Sequence, residues 1–132
     1  LTTSSKLLEN ISKTIYLNET KFMTTYYYIA ASEKFLTSDN ENLHEVLDER
    51  HRFYKEQNRE IDFWFIKQPA FLEAPELAQV KAKCPQPSAA VVSLDKEWIT
   101  FLKLRLEYVL SGEFEAPSDS IPQPTASLVA SN

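Results

Sequence analysis

The sequence predicts a small α+β domain in which a three- to four-stranded, mostly antiparallel or mixed sheet is flanked by helices. Three observations carry that expectation. Between residues 24 and about 114, β-branched and aromatic runs alternate with helically spaced apolar residues in the order strand, helix, strand, helix, strand, helix. Hydrophobic residues make up 43% of the 132 and aromatic residues 12%, enough for one core hiding roughly two thirds of the unfolded surface. Residues 61–72 form an apolar stretch too long for one strand. It leaves room for a bent extra strand and so favours an antiparallel or mixed sheet over a parallel three-layer one. Strand order does not follow from the pattern.

The first strand is Thr24-Thr-Tyr-Tyr-Tyr-Ile-Ala-Ala31, whose residue types suit a pleated, half-buried surface. Ser38, Asp39 and Asn40 supply turn and capping groups before a helix from about Leu43 to Gln57. Leu43, Val46, Leu47, Arg50 and Tyr54 share one face of it. A strand over residues 60–67 follows, and Pro69 ends or bends it because proline removes a ladder donor. Pro75 opens a helix reaching about Lys83, which Pro85 and Pro87 terminate. Residues 89–93, Ala-Ala-Val-Val-Ser, read as a short buried strand. Asp95 is the expected N-cap of a long last helix through Leu110, with Gly112, the only glycine, at its C-cap.

The flanks differ from this core, taken as residues 23–115. Residues 1–22 are rich in Ser, Thr, Asn and Lys, with Leu7, Leu8, Ile11 and Ile15 at helical spacing. Met23, the only methionine, immediately precedes the first strand, so residues 1–22 read as an N-terminal extension, non-native or flexible. A transit peptide is the rival reading, opposed by Glu9, Glu19 and the lack of arginine. Residues 116–132 carry three prolines and few apolar groups, as expected of an extended or disordered tail.

Composition removes several classes of function. A net charge of −5 opposes nucleic-acid binding, which needs clustered Lys and Arg. One glycine cannot build a dinucleotide or P-loop phosphate cradle. One cysteine, Cys84, allows neither an internal disulfide nor a cysteine-based zinc site. No run approaches the roughly 20 apolar residues of a membrane span. Glu41-x-x-His44 and Asp48-x-x-His51 have the spacing of carboxylate-bridged di-iron motifs. They lie seven residues apart on one predicted helix, about 10 Å along its axis, and so do not converge on one centre. No metal site and no catalytic constellation is expected.

Two charged residues among large apolar ones stand out. Strand alternation puts Ile61, Phe63 and Phe65 on one face and Asp62, Trp64 and Ile66 on the other, so Asp62 is set for burial. A buried carboxylate needs a cation or hydrogen-bond donors. On the last helix Trp98, Phe101, Arg105 and Tyr108 follow an i, i+3, i+4 progression that sets a guanidinium in an aromatic row. Either Arg105 neutralises Asp62 inside the fold, or Arg105 and its aromatics, with Phe63, form a surface hot spot.

The blocks Met23-Thr-Thr-Tyr-Tyr-Tyr-Ile-Ala-Ala-Ser-Glu-Lys-Phe-Leu36, Glu60-Ile-Asp-Phe-Trp64, Gln68-Pro-Ala-Phe-Leu-Glu-Ala-Pro-Glu-Leu77, Lys81-Ala-Lys-Cys-Pro85 and Leu104-Arg-Leu-Glu-Tyr-Val-Leu-Ser-Gly-Glu-Phe-Glu-Ala-Pro117 closely resemble the hypothetical chloroplast reading frame fifty-four family of cyanobacteria and plastids. The resemblance runs from Met23 to about Leu128. It implies a non-catalytic accessory subunit or assembly factor of the aerobic magnesium-protoporphyrin IX monomethyl ester cyclase, which closes the fifth ring of chlorophyll. The implied partner is the cyclase's membrane-associated di-iron catalytic subunit, which this chain would bind and stabilise without a cofactor of its own. It implies a place in the cyanobacterial cytoplasm or plastid stroma, at the thylakoid only through that partner. Asp62, Phe63 and Arg105 match family positions linked to partner binding and cyclase function, and Ala31 lies in a matching strand block; all four carry over as interaction or structural sites. Two other readings stand beside it. One is a tetrapyrrole carrier that delivers the magnesium porphyrin, using Tyr27, Trp64 and Trp98; the other is an independent enzyme.

Overall fold

The computed structural model describes residues 23–129. The extension assigned to residues 1–22 lies outside the described residues. Four strands, β1 (Thr24–Ser32), β2 (Phe63–Lys67), β3 (Ser88–Ser93) and β4 (Leu110–Ala116), form one sheet in the order β2-β3-β1-β4. Every neighbouring pair is antiparallel, with Tyr27 opposite Ser93, Phe63 opposite Ser93 and Thr24 opposite Ala116. The expected α+β class holds, in its four-stranded, wholly antiparallel form.

Period-two alternation divides the strand residues between two cores. Tyr28, Ala30, Ile66, Ala90, Val92 and Phe114 face a layer built by two 3₁₀ turns (Ala70–Glu73 and Pro75–Leu77) and the residues after β4, with Phe71, Leu72 and Ile121 as its buried members. Ile29, Ala31, Phe63, Ala89 and Val91 face the helices on the other side. Strand β3 is buried at all six positions, which suits its small residues, four apolar ones between Ser88 and Ser93.

Among the described residues, four α-helices connect or cover the strands: α1 (Glu33–Leu36), α2 (Leu43–Glu56), α3 (Ala78–Lys83) and α4 (Lys96–Leu106). Ser32 Oγ caps α1 by accepting from Phe35 N at 3.0 Å, a single turn too short to show in periodicity. Asn42, at φ 54°, turns the chain into α2, a left-handed conformation that asparagine tolerates well. Asp95 caps α4 as expected, its Oδ1 accepting from Trp98 N at 3.1 Å. The helix expected to start at Pro75 begins as a 3₁₀ turn and becomes α-helical only at Ala78.

The end of α4 corrects the sequence reading. The helix stops at Leu106, not Leu110, and residues 110–116 form the edge strand β4. Glu107 breaks it at φ 62° and ψ −58°, the centre of a γ-turn of the rarer hand closed by Tyr108 N donating to Leu106 O at 2.7 Å. Lys103 Nζ donates to Val109 O across the turn. Gly112 therefore is not a helix cap. It sits inside β4 opposite Tyr28, where a Cβ would lie 2.6 Å from Tyr28 Oη. Glycine in a strand marks such a close approach.

After β4 the chain runs through bends and turns and is anchored to the domain. Ile121 is buried, Ser120 Oγ donates to Glu76 Oε2 at 2.7 Å, and Ala70 N and Leu128 N donate to Ala126 O and Gln68 O. Prolines and a low apolar content preclude regular structure here, but backbone groups offered by residues 68–70 hold the strand-like segment in place.

Candidate functional site

The helix side of the sheet carries a guanidinium stacked among aromatic rings, and the arginine is Arg50 of α2. Its Cζ lies 4.1 Å from the ring centre of Trp98, 5.0 Å from Tyr54 and 5.3 Å from Phe63. These are cation–π distances, and the side chain is 17% exposed, so solvent screens them little. Arg50 Nη2 also donates to Tyr54 Oη at 2.8 Å and to Asp95 Oδ2 at 3.1 Å. Asp95 thus serves two partners at once, capping α4 with one oxygen and holding α2 through Arg50 with the other. Arg50 Nε is buried without a partner.

The network continues to Asp62. Tyr54 Oη donates to Asp62 Oδ1 at 2.8 Å, and Arg59 Nη2 stands 3.8 Å from Asp62 Oδ2. Asp62 lies one residue before β2 and its side chain is 26% exposed, so the carboxylate is shielded rather than entombed. Its backbone joins the sheet edge, its carbonyl accepting from Leu94 N at 3.0 Å. The cation expected of Arg105 beside Asp62 is Arg59 instead, and Tyr54 supplies the hydrogen bond.

Phe63 and Arg105 have different surroundings. Phe63 is 1% exposed and packs edge-on to Tyr54 and Trp98, with the His51 ring 4.5 Å away. A surface hot spot therefore does not include its ring. The aromatic row foreseen around Arg105 is divided: Trp98 points inward onto Arg50, while Phe101 is 48% exposed, Leu104 73% and Tyr108 81%. Arg105 is exposed too, next to Leu104 on α4, whereas Tyr108 lies beyond the γ-turn in a second groove with Phe35, Lys83 and Pro85. Together with Phe101, Arg105 forms one wall of an open groove of about 730 Å³, whose other wall is Glu45, Val46, Asp48, Glu49 and Arg52 of α2. Ala31 is buried on the helix side of β1, opposite Ala89.

Sequence reading missed Arg50, Tyr54 and Arg59 as the groups around Asp62. A usable signal was present. Arg50 shares a helix face with Leu43, Leu47 and Tyr54, and an arginine on an apolar face needs a partner.

Among the described residues, no group of three or more His, Cys, Asp or Glu is placed to hold a metal ion. Glu41 precedes α2, and His51 leans on Phe63. The aromatics considered for a porphyrin are split as well, Tyr27 and Trp98 packing on the helix side and Trp64 on the opposite side of the sheet. They cannot grip one macrocycle. Cys84 is buried, and burial pushes its thiol above the ordinary range, which suits an inert core residue.

Burial, then the hydrogen bond to Asp62, raises the Tyr54 phenol above its ordinary value of 10.0, and burial raises Tyr28 likewise. Because the folded state holds these protons more tightly, their contribution is complete below pH 10 and is lost as pH climbs through the folded values. Urea midpoints are expected to be flat from about pH 8 to 9.5 and to fall above about pH 10, less steeply in Tyr54→Phe. An equally steep fall in that variant would show that Tyr54 is not the responsible group.

The fold and site define a small α+β domain with one antiparallel sheet, an internal arginine–aromatic clamp and an exposed aromatic–arginine face. A family profile described as Ycf54 protein matches residues 24–116. The Ycf54-like protein of Synechocystis is 61% identical over 110 residues, covering 83% of this chain and 82% of that protein. The chloroplastic YCF54 protein of Arabidopsis thaliana is 38% identical over 95 residues, covering 72% of this chain and 44% of that protein. Among solved structures, the All0216 protein of Nostoc sp. PCC 7120 superposes with a TM-score of 0.78 at 62% identity, covering 81% of this chain and 98% of that one. The chain belongs to the Ycf54 protein family.

Proposed function

We propose that this chain is a non-catalytic accessory subunit or assembly factor of the aerobic magnesium-protoporphyrin IX monomethyl ester oxidative cyclase of chlorophyll biosynthesis, binding and stabilising its di-iron catalytic subunit. The family resemblance supplies the reaction and the partner. The observation that supports a binding role is the outer face of α4, where Phe101 and Leu104 are exposed beside Arg105, with Tyr108 exposed beyond the γ-turn that follows. Clustered exposed apolar side chains mark interaction sites, and arginine and tyrosine are enriched among the residues that dominate binding energy. No helix among the described residues is long and apolar enough to cross a membrane. Thylakoid association would therefore come through the partner, from the cyanobacterial cytoplasm or plastid stroma.

Tagged protein, incubated with solubilised cyanobacterial membranes, is expected to co-purify the di-iron subunit identified by immunoblot. Arg105→Ala and Tyr108→Ala are each expected to weaken capture by roughly tenfold, the scale of a hot-spot loss, with melting temperatures unchanged because both side chains are exposed. Failure of the wild type to capture that subunit would refute the cyclase role. Undiminished capture by both well-folded variants would move the binding face elsewhere.

A further inference from the structure

We infer that Arg50 is the positioning residue of the docking face, the group that fixes α2 against α4 and so sets the width of the groove between them. Helix α2 needs such a device. Of its 14 residues Leu43 and Tyr54 are fully buried and Val46 and Leu47 pack partly buried against the core, which leaves its middle, residues 48–53, without a buried apolar side chain. Arg50 occupies that middle. One guanidinium nitrogen joins Asp95, the cap of α4, to Tyr54 of α2, and the guanidinium carbon sits 4.1 Å from the ring centre of Trp98 in the first turn of α4. Through Tyr54 the same nitrogen also orients the hydroxyl that holds Asp62. The groove's α2 wall, Glu45 to Arg52, brackets Arg50 on the helix, while its opposite wall starts one turn beyond Trp98 at Phe101.

Stability alone does not account for an arginine here. Truncating Arg50 strands no buried charge: Asp95 is 42% exposed and keeps its capping bond, and Tyr54 keeps Asp62 and Arg59. A methionine of similar length would also remove the unpartnered buried Nε. Replacing such a charge pair with a fitting apolar side chain is often neutral or stabilising, so what the arginine adds here is geometry rather than stability. The arginine supplies direction, which a thioether packed in the same space does not.

The consequence for binding rests on the docking-face reading above, whereas the effect on helix geometry does not, and two measurements separate them. Spin labels at Glu49→Cys on α2 and Leu104→Cys on α4, in a Cys84→Ala background, report the interhelical distance by pulsed electron resonance. We expect one narrow distribution with Arg50, a broadened or displaced one in Arg50→Met, and partial recovery in Arg50→Lys, which keeps the charge without the planar fork. An unchanged distribution in Arg50→Met overturns the inference whatever any partner does. In the second measurement, unlabelled Arg50→Met, melting within a few degrees of wild type, is expected to bind the purified di-iron subunit at least roughly tenfold more weakly. Wild-type affinity in that variant, with helices displaced, overturns the link from Arg50 to docking. Absence of binding by the wild type itself refutes the partner, and the distance measurement still decides the role of Arg50.

Discussion

Phe63→Ala is expected to lose about 3–5 kcal/mol of folding stability, the range for removing a fully buried aromatic side chain without collapse of the space. The ring is 1% exposed where α2, α4 and the start of β2 meet, and it touches the rings of Tyr54, Trp98 and His51. Edge-on aromatic pairs add about 0.5–1.5 kcal/mol each beyond area burial, so the loss belongs at the upper end of that range. Arg50 loses one wall of its aromatic enclosure at the same time. Urea unfolding gives the number, and Phe63→Leu, which refills most of the volume, is expected to recover more than half of it. A Phe63→Ala protein as stable as wild type would contradict the buried placement of the ring. This also changes how a Phe63 variant is read in any binding assay. Lost capture there reports a disturbed fold, whereas lost capture in Arg105→Ala reports a lost contact.

Gly112→Ala is expected to cost about 1–3 kcal/mol, the usual cost of overpacking a well-filled site. A Cβ on residue 112 meets Tyr28 Oη at 2.6 Å, closer than real side chains approach. The tyrosine ring cannot easily yield, because it is buried and packed between Phe71 and Phe114, with ring centres 5.0 and 6.0 Å away. Tyr28→Phe removes the colliding oxygen and leaves a ring carbon at 3.0 Å as the nearest atom. A double-mutant cycle should therefore show Gly112→Ala costing less in the Tyr28→Phe background than in the wild type. Equal costs in the two backgrounds would mean that the contact is not what makes glycine necessary.

Gly112 also shows where local pattern misleads. A glycine shortly after an amphipathic run is the usual mark of a helix end, and residues 104–110 continue the helical spacing well enough to hide the break at Glu107. Helix α4 stops because Glu107 adopts a left-handed γ-turn, which no glutamate announces. By contrast, β1, α2, β3 and the Asp95 cap were all legible, since each rests on signals within a few residues: β-branched and aromatic runs, a shared apolar helix face, a carboxylate at a helix start. The alternation of β2 was read correctly from Phe63 onward, with Phe63 and Phe65 on the helix side and Trp64 and Ile66 opposite. Asp62 fell just outside the strand that the pattern assigned to it.

By itself, then, the sequence determined the α+β class, most element positions and the family, because these follow from local periodicity, composition and contiguous blocks. Only the tertiary structure decided which cation meets which anion. Arg50 and Asp95 are 45 residues apart in the chain, and their contact depends on the approach of α2 to the start of α4. Arg105 and Arg50 both sit beside aromatics in the sequence, but one faces solvent and the other Trp98. A charge's partner is set by distances of a few ångströms between separate elements, and those distances exist only after the sheet has paired and the helices have packed on it.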